Sequence, residues 1–217
     1  MIRIRVCPVG MLQANCYLAW NEETKKGFLV DPGDNADRIL RLVEEEGVSP
    51  EAALLTHGHF DHIGAADRIR RDFGIPVLAG EEETPVLDDP LNNLSGVYTY
   101  RPFSLKADGL LADGEEISLA GSRIRVIHTP GHSQGGVCYC LPEEGILFSG
   151  DTLFLGSYGR TDGPGGDEEE MFRSLAKLFT ELPPETRVLP GHGMDTTIEE
   201  ERESNQAVLD LQERKLL

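Results

Sequence analysis

Three histidines and an aspartate, His57, His59, Asp61 and His62, fall within six consecutive residues of the stretch Thr56-His57-Gly58-His59-Phe60-Asp61-His62. Neutral imidazole and carboxylate are ligands that zinc, iron and manganese favour. Four of them so close together exceed what one tetrahedral ion usually takes from a single loop, which predicts two ions. Histidine is also scarce: of six in 217 residues, three stand here and the others are His128, His132 and His192. His132 and His192 lie in glycine-flanked turns directly after apolar runs, a distribution that core packing does not produce.

Each chemical group needs an element to deliver it. The apolar run Ala52-Ala53-Leu54-Leu55 predicts a short buried strand, and an extended backbone through His57 and His59 sends both rings to one side. Asp61 and His62 then open a helix beyond the turn at Gly58. Three further loops repeat this grammar of apolar strand, tight glycine turn and ligand-type side chain. They are 124–127 followed by Thr129-Pro130-Gly131-His132, 146–148 followed by Ser149-Gly150-Asp151, and 187–189 followed by Pro190-Gly191-His192-Gly193. Glycine lets the backbone turn sharply, so that even a short Asp side chain can reach a cation.

Alternating and apolar runs predict further strands at 2–7, 16–20, 27–30, 76–79, 115–119, 122–128 and 136–141. Helices are expected from Ala36 to Gly47, from about Asp61 to Phe73, over 168–180, and from about 197 to 215, the last opened by Thr196 and Glu199 as a capping box. Residues 81–110 form the least regular stretch and are expected to wall the substrate cleft. Both halves run from strands to helix, strand and helix, and two sheets packed face to face with helices outside would bury them as a single domain over 1–217.

Composition narrows the function classes. A net charge of −18 repels a phosphate backbone, so no nucleic-acid partner is expected. Four Glu triplets, 44–46, 81–83, 168–170 and 199–201, carry much of that charge, and three of them read as solvated first turns of helices. No apolar run approaches the ~20 residues of a membrane span, and the alternating start Met1-Ile2-Arg3-Ile4-Arg5-Val6 lacks the apolar core of a signal peptide. A cytoplasmic protein with no membrane partner is expected. Its cysteines, Cys7, Cys16, Cys138 and Cys140, are expected to be reduced and buried.

Together, Thr56-His57-Gly58-His59-Phe60-Asp61-His62, Thr129-Pro130-Gly131-His132-Ser133, Ser149-Gly150-Asp151-Thr152-Leu153-Phe154 and Pro190-Gly191-His192-Gly193 resemble the metallo-β-lactamase superfamily, and most closely its glyoxalase II-like hydrolases. The resemblance implies a four-layer αβ/βα sandwich. It implies that His57, His59 and His132 hold one ion, that Asp61, His62 and His192 hold the second, and that Asp151 bridges them. His128, which shares a strand face with Ile124 and Val126, is expected to be packed or supporting.

Two divalent ions so held, zinc or else iron or manganese, would lower the pKa of a bridging water enough to supply hydroxide near neutral pH. The expected activity is therefore hydrolysis of a small-molecule thioester such as S-lactoylglutathione, with Asp61 as the one protein acid or base beside the water. Full-length glyoxalase II enzymes hold glutathione with a Lys and a Tyr and carry a C-terminal helical domain. Here Arg160 takes the cationic position, Asp162 stands where the Tyr would be, and few residues follow His192. Arg160 is expected to bind substrate. The same Gly159-Arg160-Thr161-Asp162 segment also resembles persulfide dioxygenases, which use a single iron, and a lactonase is a third expectation.

Overall fold

Many of the strand stretches are apolar on both faces, and the computed structural model, which describes residues 1–217, accounts for that by burying each main sheet from both sides. The first sheet runs in chain order, β1 (Ile2–Val9), β2 (Ala14–Asn21), β3 (Lys26–Val30), β4 (Ser49–Leu55), β5 (Val77–Gly80) and β6 (Gly109–Leu111). Its first three strands are antiparallel, and β3 to β6 are parallel. Helices α1 (Ala36–Glu46), α2 (Phe60–Ile63), α3 (Ala66–Phe73), α4 (Thr84–Asp88) and α5 (Ser95–Tyr98) fall within this half.

The second half supplies β7 (Glu116–Leu119), β8 (Ser122–His128), β9 (Val137–Leu141), β10 (Ile146–Gly150), the ribbon β11 (Leu153–Phe154) and β12 (Ser157–Tyr158), then β13 (Arg187–Pro190) and β14 (Thr196–Thr197). Its sheet has the order β14-β13-β10-β9-β8-β7. Helices α6 (Glu168–Glu181), α7 (Ile198–Ser204) and α8 (Ala207–Glu213) cover it.

Strand periodicity sorts the side chains into three cores. On β2, Cys16, Leu18 and Trp20 join Ile39, Val43 and Ile69 of α1 and α3, whereas Tyr17 and Ala19 point between the sheets. On β9, Cys138 and Cys140 face Phe172 and Leu175 of α6, whereas Tyr139 and Leu141 point between the sheets. Helix, sheet, sheet and helix therefore stack in four layers, the expected αβ/βα sandwich. Between the sheets, Phe148 meets Tyr17 edge-on at 5.3 Å and Phe28 at 6.1 Å, geometry worth roughly 0.5–1.5 kcal/mol per pair beyond the area buried. All four cysteines are buried and unpaired. No helix is long and apolar enough to cross a membrane.

Three elements differ from the sequence expectation. The helix expected over 61–73 is two, α2 and α3, because the Ala65 N–H leaves the helical ladder for the Pro32 carbonyl at 2.9 Å, beside Gly64, where a Cβ would lie 2.4 Å from the Gly33 carbonyl oxygen. The final helix breaks at Asn205, whose side chain caps α8 through the Ala207 N–H and donates to Glu201 and to the Ser157 carbonyl. Thr197, not Thr196, caps α7, accepting from the Glu200 N–H. The irregular stretch 81–110 holds a 3₁₀ turn over Glu81–Glu83, α4, α5 and the short strand β6.

Where the loops of interest emerge, backbone and phenol hydrogen bonds tie the sheets to each other. Tyr17 donates to the Pro190 carbonyl at 2.7 Å, Tyr139 to that of Leu55 at 2.8 Å, and the Val137 N–H to that of Thr56 at 2.8 Å. Burial raises both phenols, so they remain protonated donors. These bonds fix the ends of β4 and β13 against the opposite sheet, and thus the loops that follow them.

Candidate metal centre

The loops after β4, β8, β10 and β13 converge, and they bring together His57, His59, Asp61, His62, His132, Asp151 and His192. Their donor atoms form two groups, His57 with His59 and His132, and Asp61 with His62 and His192, each with its atoms within 4.8 Å of one another. His59 Nδ1 lies 2.9 Å from His132 Nε2, and His62 Nε2 lies 3.3 Å from His192 Nε2. Asp151 stands between the groups. Its Oδ2 is 3.5 Å from His132 Nε2 and 3.6 Å from His192 Nε2, and its Oδ1 is 3.5 Å from His62 Nε2.

Glycines make this convergence possible at two places. A Cβ on Gly33 would lie 1.6 Å from the Asp61 carbonyl oxygen, so no other residue lets that turn carry α2. Gly150 has φ +50°, and a Cβ there would come within 2.3 Å of the Thr56 hydroxyl. Only glycine brings the β10 loop of one sheet against the β4 loop of the other.

The rings are aimed by partners on their far sides. His62 Nδ1 sits 3.0 Å from Asp31, His132 Nδ1 donates to the Arg160 carbonyl at 2.8 Å, and His57 Nδ1 contacts the Thr56 hydroxyl at 3.1 Å. Asp31 also accepts the Thr56 N–H and hydroxyl at 2.7 and 2.6 Å. This is the carboxylate–imidazole support that metal-binding histidines carry.

Burial pushes His59 down to about 3, with the His132 ring adding to it, and holds His57 well below its ordinary range. Burial acts on His62 in the same sense, yet the carboxylates of Asp61, Asp151 and Asp31 push it up to about 10. His192 is raised by Asp61 and Asp151 against its own burial. Burial alone would raise Asp61, but the His62 and His192 rings hold it below the usual carboxylate range.

The donor set fits divalent ions. His57 Nε2 and Asp151 Oδ1 are buried with no hydrogen-bond partner, a cost that native proteins seldom leave unmatched. Separations of 2.9 to 3.6 Å between donors bracket the ~3.3 Å edge of a tetrahedron whose legs are ~2.0–2.1 Å, as in zinc–imidazole sites.

Two other residues fall outside the cluster. His128 gives its ring Nε2 to the Gln134 carbonyl and its backbone N–H to Asp113. Arg160 touches the centre only through its carbonyl, while its exposed guanidinium makes two bonds to Asp162 at 2.7 and 3.1 Å.

Sequence reasoning missed Asp31, Thr56 and Glu83. Asp31 ends an apolar strand just as Asp151 does, which is the signal that marks it. Glu83, the last of a Glu triplet expected to be solvated, is fully buried. One of its oxygens accepts the Gly58 N–H at 2.6 Å, and the other accepts the Gly135 N–H at 2.8 Å and the Ser133 hydroxyl at 3.1 Å. It thus braces the loop of His57 and His59 against the loop of His132. Burial pushes its carboxyl up to about 7 against the pull of those three donors. Glu201, expected at a solvated helix start, is likewise fully buried.

Residues 9–192 match the metallo-beta-lactamase superfamily. The chain is 35% identical over 211 residues to the hydroxyacylglutathione hydrolase GloC of Haemophilus influenzae, covering 94% of this chain and 97% of that relative. Among solved structures it is similar to the BLEG-1 B3 metallo-beta-lactamase, with a TM-score of 0.90 and 40% identity over 95% of this chain and 99% of that one. It is also similar to TTHA1623 in a di-iron-bound form, with a TM-score of 0.81 and 38% identity over 93% and 98%.

Proposed function

The chain belongs to the metallo-β-lactamase superfamily, and from that premise we propose that this metal-dependent hydrolase cleaves thioesters at a two-ion centre, in the manner of a hydroxyacylglutathione hydrolase. The position of Asp151 carries the proposal, because its carboxylate faces both donor groups at 3.5 to 3.6 Å. His57, His59 and His132 would hold one ion and Asp61, His62 and His192 the other. Ions there would supply Lewis acidity, polarising a carbonyl and making water acidic enough to attack near neutral pH. Zinc and iron both suit such donors, and the di-iron form of TTHA1623 keeps iron in view.

The chain's own groups then orient and exclude. His62 and His192 keep Asp61 ionised, so its Oδ2 orients water rather than storing a proton. Water adds to the acyl carbon, the C–S bond breaks, and acid and thiol result. A thiolate, with an ordinary thiol pKa of about 8.5, departs without a strong acid, and so a thioester asks least of this site. GloC, a hydroxyacylglutathione hydrolase, supports the same class. The B3 metallo-beta-lactamase neighbour favours β-lactam hydrolysis as a second reading.

The test offers metal-analysed protein a thioester panel including S-lactoylglutathione, a β-lactam, and glutathione persulfide with O₂ uptake recorded. Thioester cleavage with two ions per chain, reduced about 10³-fold or more in Asp151→Ala, is expected, since one substitution opens both ion sites. One iron per chain with O₂ uptake on the persulfide, or β-lactam turnover alone, overturns it.

A further inference from the structure

A groove of about 430 Å³ reaches Asp61, the one candidate ion-holding residue among those that line it. Its volume is in the range of small-molecule sites. The tip of the β1–β2 hairpin gives Met11, α2 gives Phe60, and the segment after α5 gives Tyr100 and Phe103, with Tyr98 at the end of α5. Phe60 and Tyr98 stack with ring centroids 5.7 Å apart. Met11 is 78% exposed and Tyr98 54%, so apolar surface is left open beside a reactive centre on a chain of net charge −18. Such surface is expected where it has a ligand to cover it.

Charge decides which ligand. The charged groups lining the groove are Asp34 and Asp61, and no Lys or Arg is among them. Arg160 is not among the lining residues, and Asp162 occupies its guanidinium. A dicarboxylate would meet repulsion along the groove, and so would the negative charge that grows on a departing sulfur. We infer that the groove binds the acyl side of the substrate and selects uncharged apolar acyl groups, aromatic or branched, with the thiol directed away from it. This inference rests on the thioesterase proposal and narrows it.

The decisive comparison uses N-acetylcysteamine thioesters of phenylacetic, acetic and succinic acids alongside S-lactoylglutathione. The expected kcat/KM for phenylacetyl exceeds that for succinyl by about 10- to 100-fold, the span that apolar pocket contacts confer. In Met11→Asp the phenylacetyl-to-acetyl ratio falls about tenfold. Succinyl cleaved as fast as phenylacetyl, or a preference that follows the thiol instead of the acyl group, overturns the inference. A binding readout separates it from the activity: with methionine ¹³C-methyl labels, phenylacetamide should shift the Met11 signal and leave that of buried Met171 in place. If no thioester is hydrolysed the thioesterase proposal fails, and the Met11 titration still decides the groove. A Met11 signal that stays put to the solubility limit of phenylacetamide sinks it.

Discussion

The two donor groups of the centre share the loop after β4 yet live in opposite electrostatic surroundings. His57, His59 and His132 are buried together, and burial plus mutual repulsion keeps His57 and His59 neutral, with their lone pairs free. Asp61, His62 and His192 share space with Asp151 and Asp31, and these carboxylates hold His62 and His192 toward the protonated form. His57 and His59 are poised to accept a cation; His62 and His192 must release protons to do so. One centre thus sets two neutral imidazoles beside two that titrate.

The largest consequence is in acid. His62, pushed up to about 10, competes for its own proton with any ion at Nε2, so affinity at the carboxylate-bearing group falls about tenfold for each pH unit below that value. Between pH 8 and pH 6 the loss is about a hundredfold from His62 alone. His59, at about 3, has no proton to release over this range, and the three-histidine group should weaken far less. Equilibrium dialysis against buffered zinc should show the stoichiometry dropping from two ions to one in a step of its own. A single step from two to none removes the distinction.

Asp31 sharpens the same contrast. Asp31→Asn keeps the shape but takes the anion from His62 Nδ1, so metal affinity at the carboxylate-bearing group should fall about 10- to 100-fold. The three-histidine group also has a link to Asp31 through Thr56 and His57 Nδ1, but there a hydroxyl intervenes and a smaller loss is expected. Calorimetric titration of each ion in turn measures both, and equal losses at the two would contradict the assignment.

The residues that could hold ions were legible in the sequence because each follows an apolar strand through a glycine turn, a pattern local enough to read along one chain. What supports them was legible only in part. Asp31 repeats the strand-end pattern of Asp151, yet its target, His62, lies 31 residues further on and is reached only once β3 and β4 pair in parallel. Glu83 sits in an acidic run that by local rules belongs to a solvated helix start. Its burial is decided by Gly58 and Gly135, whose approach depends on the packing of one sheet on the other. The break between α2 and α3 is of the same kind, since the Ala65 N–H is drawn to the Pro32 carbonyl of the loop after β3.

Glu83 gives a smaller effect, and one confined to the three-histidine side. In Glu83→Gln the amide cannot accept on both sides, so a buried N–H of Gly58 or Gly135 loses its partner, at a cost of about 1–3 kcal/mol in stability. The pH dependence is signed. With its folded pKa raised to about 7 from 4.5, Glu83 holds its proton more tightly when folded. Its contribution is full below about pH 4.5 and is lost as pH rises through about 7. Metal-free wild type should therefore lose stability over that window relative to the Gln variant. Bound cations nearby would pull the carboxyl back down and flatten the difference. Chemical denaturation of both proteins at pH 5 and 8, with and without metal, checks the sign.

Arg160 supplies the smallest expected change. The centre uses its carbonyl, which holds His132 Nδ1 at 2.8 Å, and a backbone atom survives any substitution. Its guanidinium is solvent-exposed and already paired with Asp162, and exposed pairs contribute about 0–1 kcal/mol. Arg160→Ala should leave metal content unchanged and shift kcat/KM on a neutral acyl thioester by less than about threefold, in keeping with a surface pair of that strength. Against S-lactoylglutathione the same variant asks a different question, because a substrate carboxylate could draw the guanidinium away from Asp162. A loss of tenfold or more there, with the neutral thioester unaffected, would make Arg160 a substrate clamp and place the thiol on the His132 side of the centre.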